Sequence, residues 1–169
     1  KKYAYKESDI LQIVHLIDTD GAFIPDNLVK ARTEKGIQYF EDHIETGEVK
    51  YNQGRNQKKS SVVASLCSTG KMKSKIPYSI YYFSRNMEHV LHNVATELTD
   101  DQKIELADAF ADRYEENPMD FVAFIESEEV AVPGGYTQTW TFIREGTNSL
   151  NRHSNLRILF EQENLKSNQ

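Results

Sequence analysis

Hydrophobic and polar positions along the chain change rhythm several times, and each rhythm predicts an element. Ile13-Val14-His15-Leu16-Ile17 is a short apolar run rich in β-branched residues, and Asp18-Thr19-Asp20-Gly21 breaks it. Five such residues bounded by turn chemistry predict a strand buried on both faces, as in a parallel sheet. Residues 77–84 predict a second strand, because Tyr78, Ile80, Tyr81, Tyr82 and Phe83 favour β structure. Between the two, Ile37, Phe40 and Ile44 lie at helical spacing and predict a mixed helix over 27–45, weakened by Gly36. Residues 50–75 are polar and turn-rich, which predicts an exposed, mobile loop enclosing a short element at 62–66.

From Asn86 onward the rhythm is helical. Met87, Val90, Leu91 and Val94 share one face. Thr99 and Gln102 form a capping box ahead of Ile104, Ala107, Phe110, Ala111 and Tyr114. Asn117-Pro118 opens a short helix over 119–126, with Pro at its first position. Val132-Pro133-Gly134-Gly135 is a turn, and 136–144 and 155–162 are the last helices expected. Two strands and many helices predict an α/β fold: a parallel-sheet core over 1–95 with a helical extension over 96–169, in a single domain.

The chain has 169 residues, enough for one domain with its own core. An aromatic fraction of 11% excludes a disordered chain. No run of 18 apolar residues is present, so no membrane span is expected. Cys67 is the only cysteine, which excludes an internal disulfide and a Cys-rich zinc site and points to a cytoplasmic setting. The chain opens on Lys1, so an N-terminally incomplete domain is expected.

Charge divides the chain. The net charge is −6, yet 50–75 holds seven bases (Lys50, Arg55, Lys58, Lys59, Lys71, Lys73 and Lys75) and no acid. A basic segment in an acidic protein can place local positive charge against phosphates, and Lys71, Lys73 and Lys75 are the expected contacts.

Two constellations carry candidate chemistry. Asp18-x-Asp20-Gly21 sits where a strand ends, the place where open α/β sheets bind ligands. Two carboxylates leaving a strand there can converge on a hard cation, Mg²⁺ or Mn²⁺, and no other cofactor is expected. The second is 84–92, where the second strand gives way to a helix. Arg85 can hold a phosphate bidentately, and Glu88 is a third carboxylate for the metal or a partner within the helix. Ser84 or Asn86 is the expected cap of that helix. His89 and His92 lie three apart, but the spacing is not that of a His-Glu-x-x-His zinc helix. The four aromatics at 78 and 81–83 could stack on bases; core packing is the expectation for at least half of them.

The strand ending in Asp18-Thr19-Asp20 resembles the Asp-x-Asp motif of TOPRIM domains. Ser84-Arg85-Asn86-Met87-Glu88-His89-Val90-Leu91-His92 resembles, in a shorter form, the Ser-Asn-Pro-x-Phe-Glu-x-Trp-Leu-Leu-x-His element of RloB-type TOPRIM proteins associated with phage defence, with Ser84, Glu88 and His92 in the same order. The resemblance covers about residues 10–95. It implies Mg²⁺ at Asp18 and Asp20, with Glu88 as a candidate third carboxylate of the catalytic and metal-binding set, and phosphodiester hydrolysis of DNA or RNA. It also implies a self-associating chain or a defence-system partner protein. TOPRIM domains draw a catalytic Glu from an earlier strand, which would precede Lys1. Asp18-Thr19-Asp20-Gly21-Ala22 also resembles the Asp-x-Asp-Gly-Thr motif of HAD phosphatases, which implies phosphomonoester hydrolysis with Asp18 as nucleophile and Asp20 as general acid/base. A regulatory protein that binds nucleic acid without catalysis is the third reading.

Overall fold

The computed structural model describes residues 6–73 and 75–167, the last five of these by backbone alone. It is a mixed α/β fold with a helical C-terminal half. The strands are β1 (Ile13–Asp18), β2 (Val29–Ala31), β3 (Ile37–Tyr39), β4 (Ile44–Thr46), β5 (Lys71–Met72) and β6 (Ile76–Phe83). The helices are α1 (Val49–Cys67), α2 (Met87–His92), α3 (Asp100–Glu115), α4 (Pro118–Glu126), α5 (Tyr136–Ile143) and α6 (Arg157–Ser167).

The two strands read from the sequence pair in parallel, with Ile13 opposite Tyr78 and Asp18 opposite Phe83. The sheets are otherwise small and only partly parallel. β5 pairs with β6 antiparallel, giving the order β1-β6-β5. A separate sheet has the order β2-β4-β3, with β2 parallel and β3 antiparallel to β4. β6 is the strand buried on both faces. Tyr81 and Phe83 pack with Val90, Ile125, Val130 and Leu156 on one side; Tyr78, Ile80 and Tyr82 pack with Val63, Trp140 and Ile143 on the other. All four aromatics thus belong to the core, where the Tyr82 hydroxyl donates to the Thr139 carbonyl (3.0 Å). Each such side chain contributes about 1.5–3 kcal/mol through burial.

Three expectations are corrected. β1 is an edge strand, half-buried, with Leu16 exposed, because only β6 flanks it. Residues 27–45 form no helix: a single 3₁₀ turn leads into β2, β3 and β4, and Ile44 is wholly buried beneath them with Ile24, Val29 and Leu150. Most of 50–75 is not a loop but the 19-residue helix α1. Its inward face is polar over the first half, with Asn52 and Asn56 buried, and turns apolar only at Val63, so apolar periodicity gives no signal there. Asn52 Nδ2 donates to Thr46 Oγ1 (2.9 Å), which satisfies the amide beneath the second sheet. The Thr99–Gln102 capping box forms as the spacing predicts, and Pro118 opens α4. Among the described residues, no helix is long and apolar enough to cross a membrane.

Candidate functional site

The carboxyl ends of β1 and β6 are tied together past the point where the strands stop. Thr19 N–H donates to Phe83 O (3.0 Å) and Asp20 N–H to Arg85 O (2.7 Å). Thr19 is fully buried; its hydroxyl accepts from Arg85 N–H (2.8 Å) and donates to Ser149 O (3.1 Å). Ser84 N–H donates to His153 O (2.7 Å), and its hydroxyl donates to Asn148 O (3.0 Å). The polar stretch 148–153 therefore clamps both strand exits. Asp20 (φ 49°) and Arg85 (φ 60°) hold left-handed backbone, a conformation that costs a non-glycine residue about 1–2 kcal/mol. Both strained residues face each other across the site, as strain at functional sites commonly does.

Three carboxylates come within electrostatic reach here. Burial, then the charges of Asp20 and Glu88, push the Asp18 carboxyl up to about 6 from its ordinary 3.8; the Lys59 ammonium and the Met87 N–H oppose the shift. Asp20 accepts an ion pair from Lys59, and Arg55 Nη2 donates to its carbonyl (3.1 Å). Arg55 also donates to the Tyr39 hydroxyl (3.3 Å), which links α1, β3 and the Asp20 turn. Glu88, in α2, lies 3.9 Å from Lys103. Asn86 caps that helix by accepting from His89 N–H (2.9 Å).

Arg85 is 6% exposed. It donates to Ala95 O, its guanidinium carbon stands 5.0 Å from the Tyr39 ring centre, and its Nε has no partner. Beside it opens a cleft of about 450 Å³, walled by β3, α2 and the segment before α3.

The structure brings Asp18, Asp20 and Glu88 within electrostatic reach of one another, and Arg85 meets the Asp20 turn through its backbone while its side chain turns to Ala95 and Tyr39. It does not bring Lys71, Lys73 and Lys75 to them. β5 pairs with the start of β6, seven residues from Phe83, which is about 23 Å at a strand's usual rise. Lys73 there pairs with Glu7 (2.6 Å). His89 is buried and pushed down to about 4, first by burial and then by Arg85 and Arg152, while His92 meets the Phe110 ring edge-on. Sequence reasoning placed Arg55 and Lys59 only in a basic loop, not beside the carboxylates, and missed Tyr39 and Ser149. Spacing alone held the signal for α1, where Asn52, Asn56, Lys59 and Val63 recur every three or four residues.

Among the described residues, no three His, Cys, Asp or Glu side chains form a ready-made metal cage. The candidate donors are carboxylate oxygens, with Asp18 raised first by burial and then by the charges of Asp20 and Glu88, and Lys59 already places a cation on Asp20. That chemistry suits a hard divalent ion. No protein-family model matches the chain, and neither a curated protein nor a solved structure matches it.

Proposed function

We propose that the protein hydrolyses phosphodiesters of nucleic acid with the help of Mg²⁺ or Mn²⁺, in the manner of a TOPRIM domain. The observation that carries this reading is the Asp18 carboxyl, held at a parallel strand exit within reach of the Asp20 and Glu88 charges and of the Lys59 ammonium, with Arg55 on the backbone of the Asp20 turn. Asp18 and Asp20 would hold the cation, with Glu88 beside them. When bound, the ion neutralises phosphate charge and lowers the pKa of a coordinated water. Asp18 makes its own contribution through its proton. Below about pH 6 the carboxyl is protonated and the donor set is one charge short, so cation uptake releases a proton. Lys59 gives up part of Asp20 and turns its ammonium toward the phosphate. Arg85 fixes a phosphate oxygen from a guanidinium that packing has already ordered.

Nicking of plasmid DNA and of a folded RNA, with and without Mg²⁺, tests the reading beside melts of the same protein. We expect Mg²⁺-dependent cleavage, reduced at least about a hundredfold in Asp18→Asn/Asp20→Asn, and a melting shift with Mg²⁺ that the double variant loses. Turnover of small phosphomonoesters that vanishes in Asp18→Asn would show the HAD-like chemistry instead. Binding of nucleic acid without any cleavage would leave the regulatory reading.

A further inference from the structure

The cleft beside the carboxylates has features that a bare cation site does not need. One wall joins a buried cation to an aromatic ring, because Arg85 lies over Tyr39. Arg85 is nine-tenths buried, lines the cleft, and keeps an Nε–H with no acceptor. A guanidinium that lines the cleft, is held by Ala95 and Tyr39 and has no carboxylate partner among the described residues suits an oxyanion. Ile37 and Leu98 add apolar surface to the same lining, and Arg32 and Lys103 add two further cations, Lys103 standing 3.9 Å from Glu88. Glu88 belongs to this lining and to the carboxylate group, so the cleft is continuous with the proposed reaction centre. Its volume of about 450 Å³ falls within the range of small-molecule sites.

We infer that this cleft is a subsite for one nucleoside monophosphate unit, with the phosphate on Arg85 and the base against Tyr39, Ile37 and Leu98. Plain inorganic phosphate would use Arg85 and leave the apolar wall uncovered. A bare nucleoside would cover the wall and leave the Arg85 charge without an anion. A nucleotide uses both, and base stacking on aromatic or guanidinium planes tolerates any base. The unit arrives either as a free mononucleotide or as the unpaired end of a strand. The inference rests on the phosphodiester reading for why a nucleotide is presented here.

Its test does not depend on cleavage. Adenosine 5′-monophosphate, adenosine and ribose 5-phosphate are titrated into the full chain by calorimetry in EDTA. We expect the monophosphate to bind at least about tenfold tighter than either fragment, the effect of adding one stacked base or one charge-assisted contact. Leu98→Glu changes a half-buried position of the lining and Lys103→Glu an exposed one, and both should keep the wild-type melting temperature; each should weaken that binding about tenfold. Tyr39→Leu should cost affinity for the monophosphate and none for ribose 5-phosphate. Equal affinity for the three ligands, or unchanged affinity in both the Leu98 and Lys103 variants, overturns the subsite. A single-stranded oligonucleotide that binds tighter than the monophosphate identifies the strand end as the source; the reverse order identifies the free nucleotide. If Mg²⁺-dependent nicking persists while no monophosphate binds, the subsite fails and the hydrolase reading stands. If the monophosphate binds and nothing is cleaved, the hydrolase reading fails alone.

Discussion

At the scale of single residues, Asp18 bears the largest electrostatic burden in the site. Its carboxyl titrates near 6 in the folded chain and near 3.8 when exposed. The folded state therefore holds the proton more tightly, and stability falls as pH rises from about 4 through about 6. That difference corresponds to about 3 kcal/mol, and partial hydration of the site reduces it by about half. Asp18→Asn mimics the protonated carboxyl at every pH. It should stabilise the fold by roughly 1–2 kcal/mol at pH 7.5 and by almost nothing near pH 4. Urea melts of both proteins at the two pH values check this, and an equal effect at both would remove the raised carboxyl from the account. A stabilising substitution that abolishes cleavage is the mark of a residue kept for function rather than for folding.

At the scale of elements, the site depends on how tightly the Asp20 turn sits on the 148–150 segment. Gly21 has φ 64°, and a Cβ there would lie 2.5 Å from Leu150 Cδ2 and 3.0 Å from Ile44 Cδ1. Both neighbours are wholly buried, so neither has room to yield. Gly21→Ala should cost roughly 2–4 kcal/mol, from left-handed backbone and overpacking together. A denaturation midpoint within error of the wild type would show that the turn can move away from Leu150. The sequence makes Gly21 legible as the residue that lets the chain turn, but not as the residue that Leu150 packs upon. The same division runs through the fold. β1, β6, α3 and α4 are legible because apolar periodicity, a capping box and an N-terminal proline are local signals. α1 and the second sheet are not. The buried face of α1 carries Asn52 and Asn56, whose burial depends on Thr46 and Arg55 as partners. Strands of three residues such as β2, β3 and β4 leave too short a pattern to outweigh a chance helical spacing at Ile37, Phe40 and Ile44. Of the site, the residues at strand exits were readable; Tyr39, Arg55, Lys59 and Ser149 arrive by tertiary contact, which a linear pattern does not record.

At the scale of the whole molecule, the basic segment divides into two bodies with different work. Arg55 and Lys59 enter the carboxylate site through α1, while Lys71 and Lys75 stay exposed about 23 Å away at the far end of β6, with Lys73 beside them on Glu7. Seven bases stand in 50–75, leaving 13 bases against 26 acids elsewhere, so the rest of the surface repels a polyanion. A duplex that reaches the site can also reach the distal lysines only if it extends about seven base pairs beyond it, at 3.4 Å per pair. Length dependence thus separates the two bodies. Replacing Lys71, Lys73 and Lys75 with Gln should leave the binding of a four-nucleotide strand unchanged. It should weaken a twenty-base-pair duplex and lower the slope of log affinity against log salt by up to about 0.9 per lost contact. Fluorescence anisotropy across a salt series reads both quantities on one preparation, with thermal melts confirming the fold. An unchanged slope on the long duplex would show that the distal lysines make no phosphate contact, leaving α1 and Arg85 as the whole of the basic surface. A loss that is equal for the short strand and the long one would place the lysines within reach of the site, against the separation that β6 imposes.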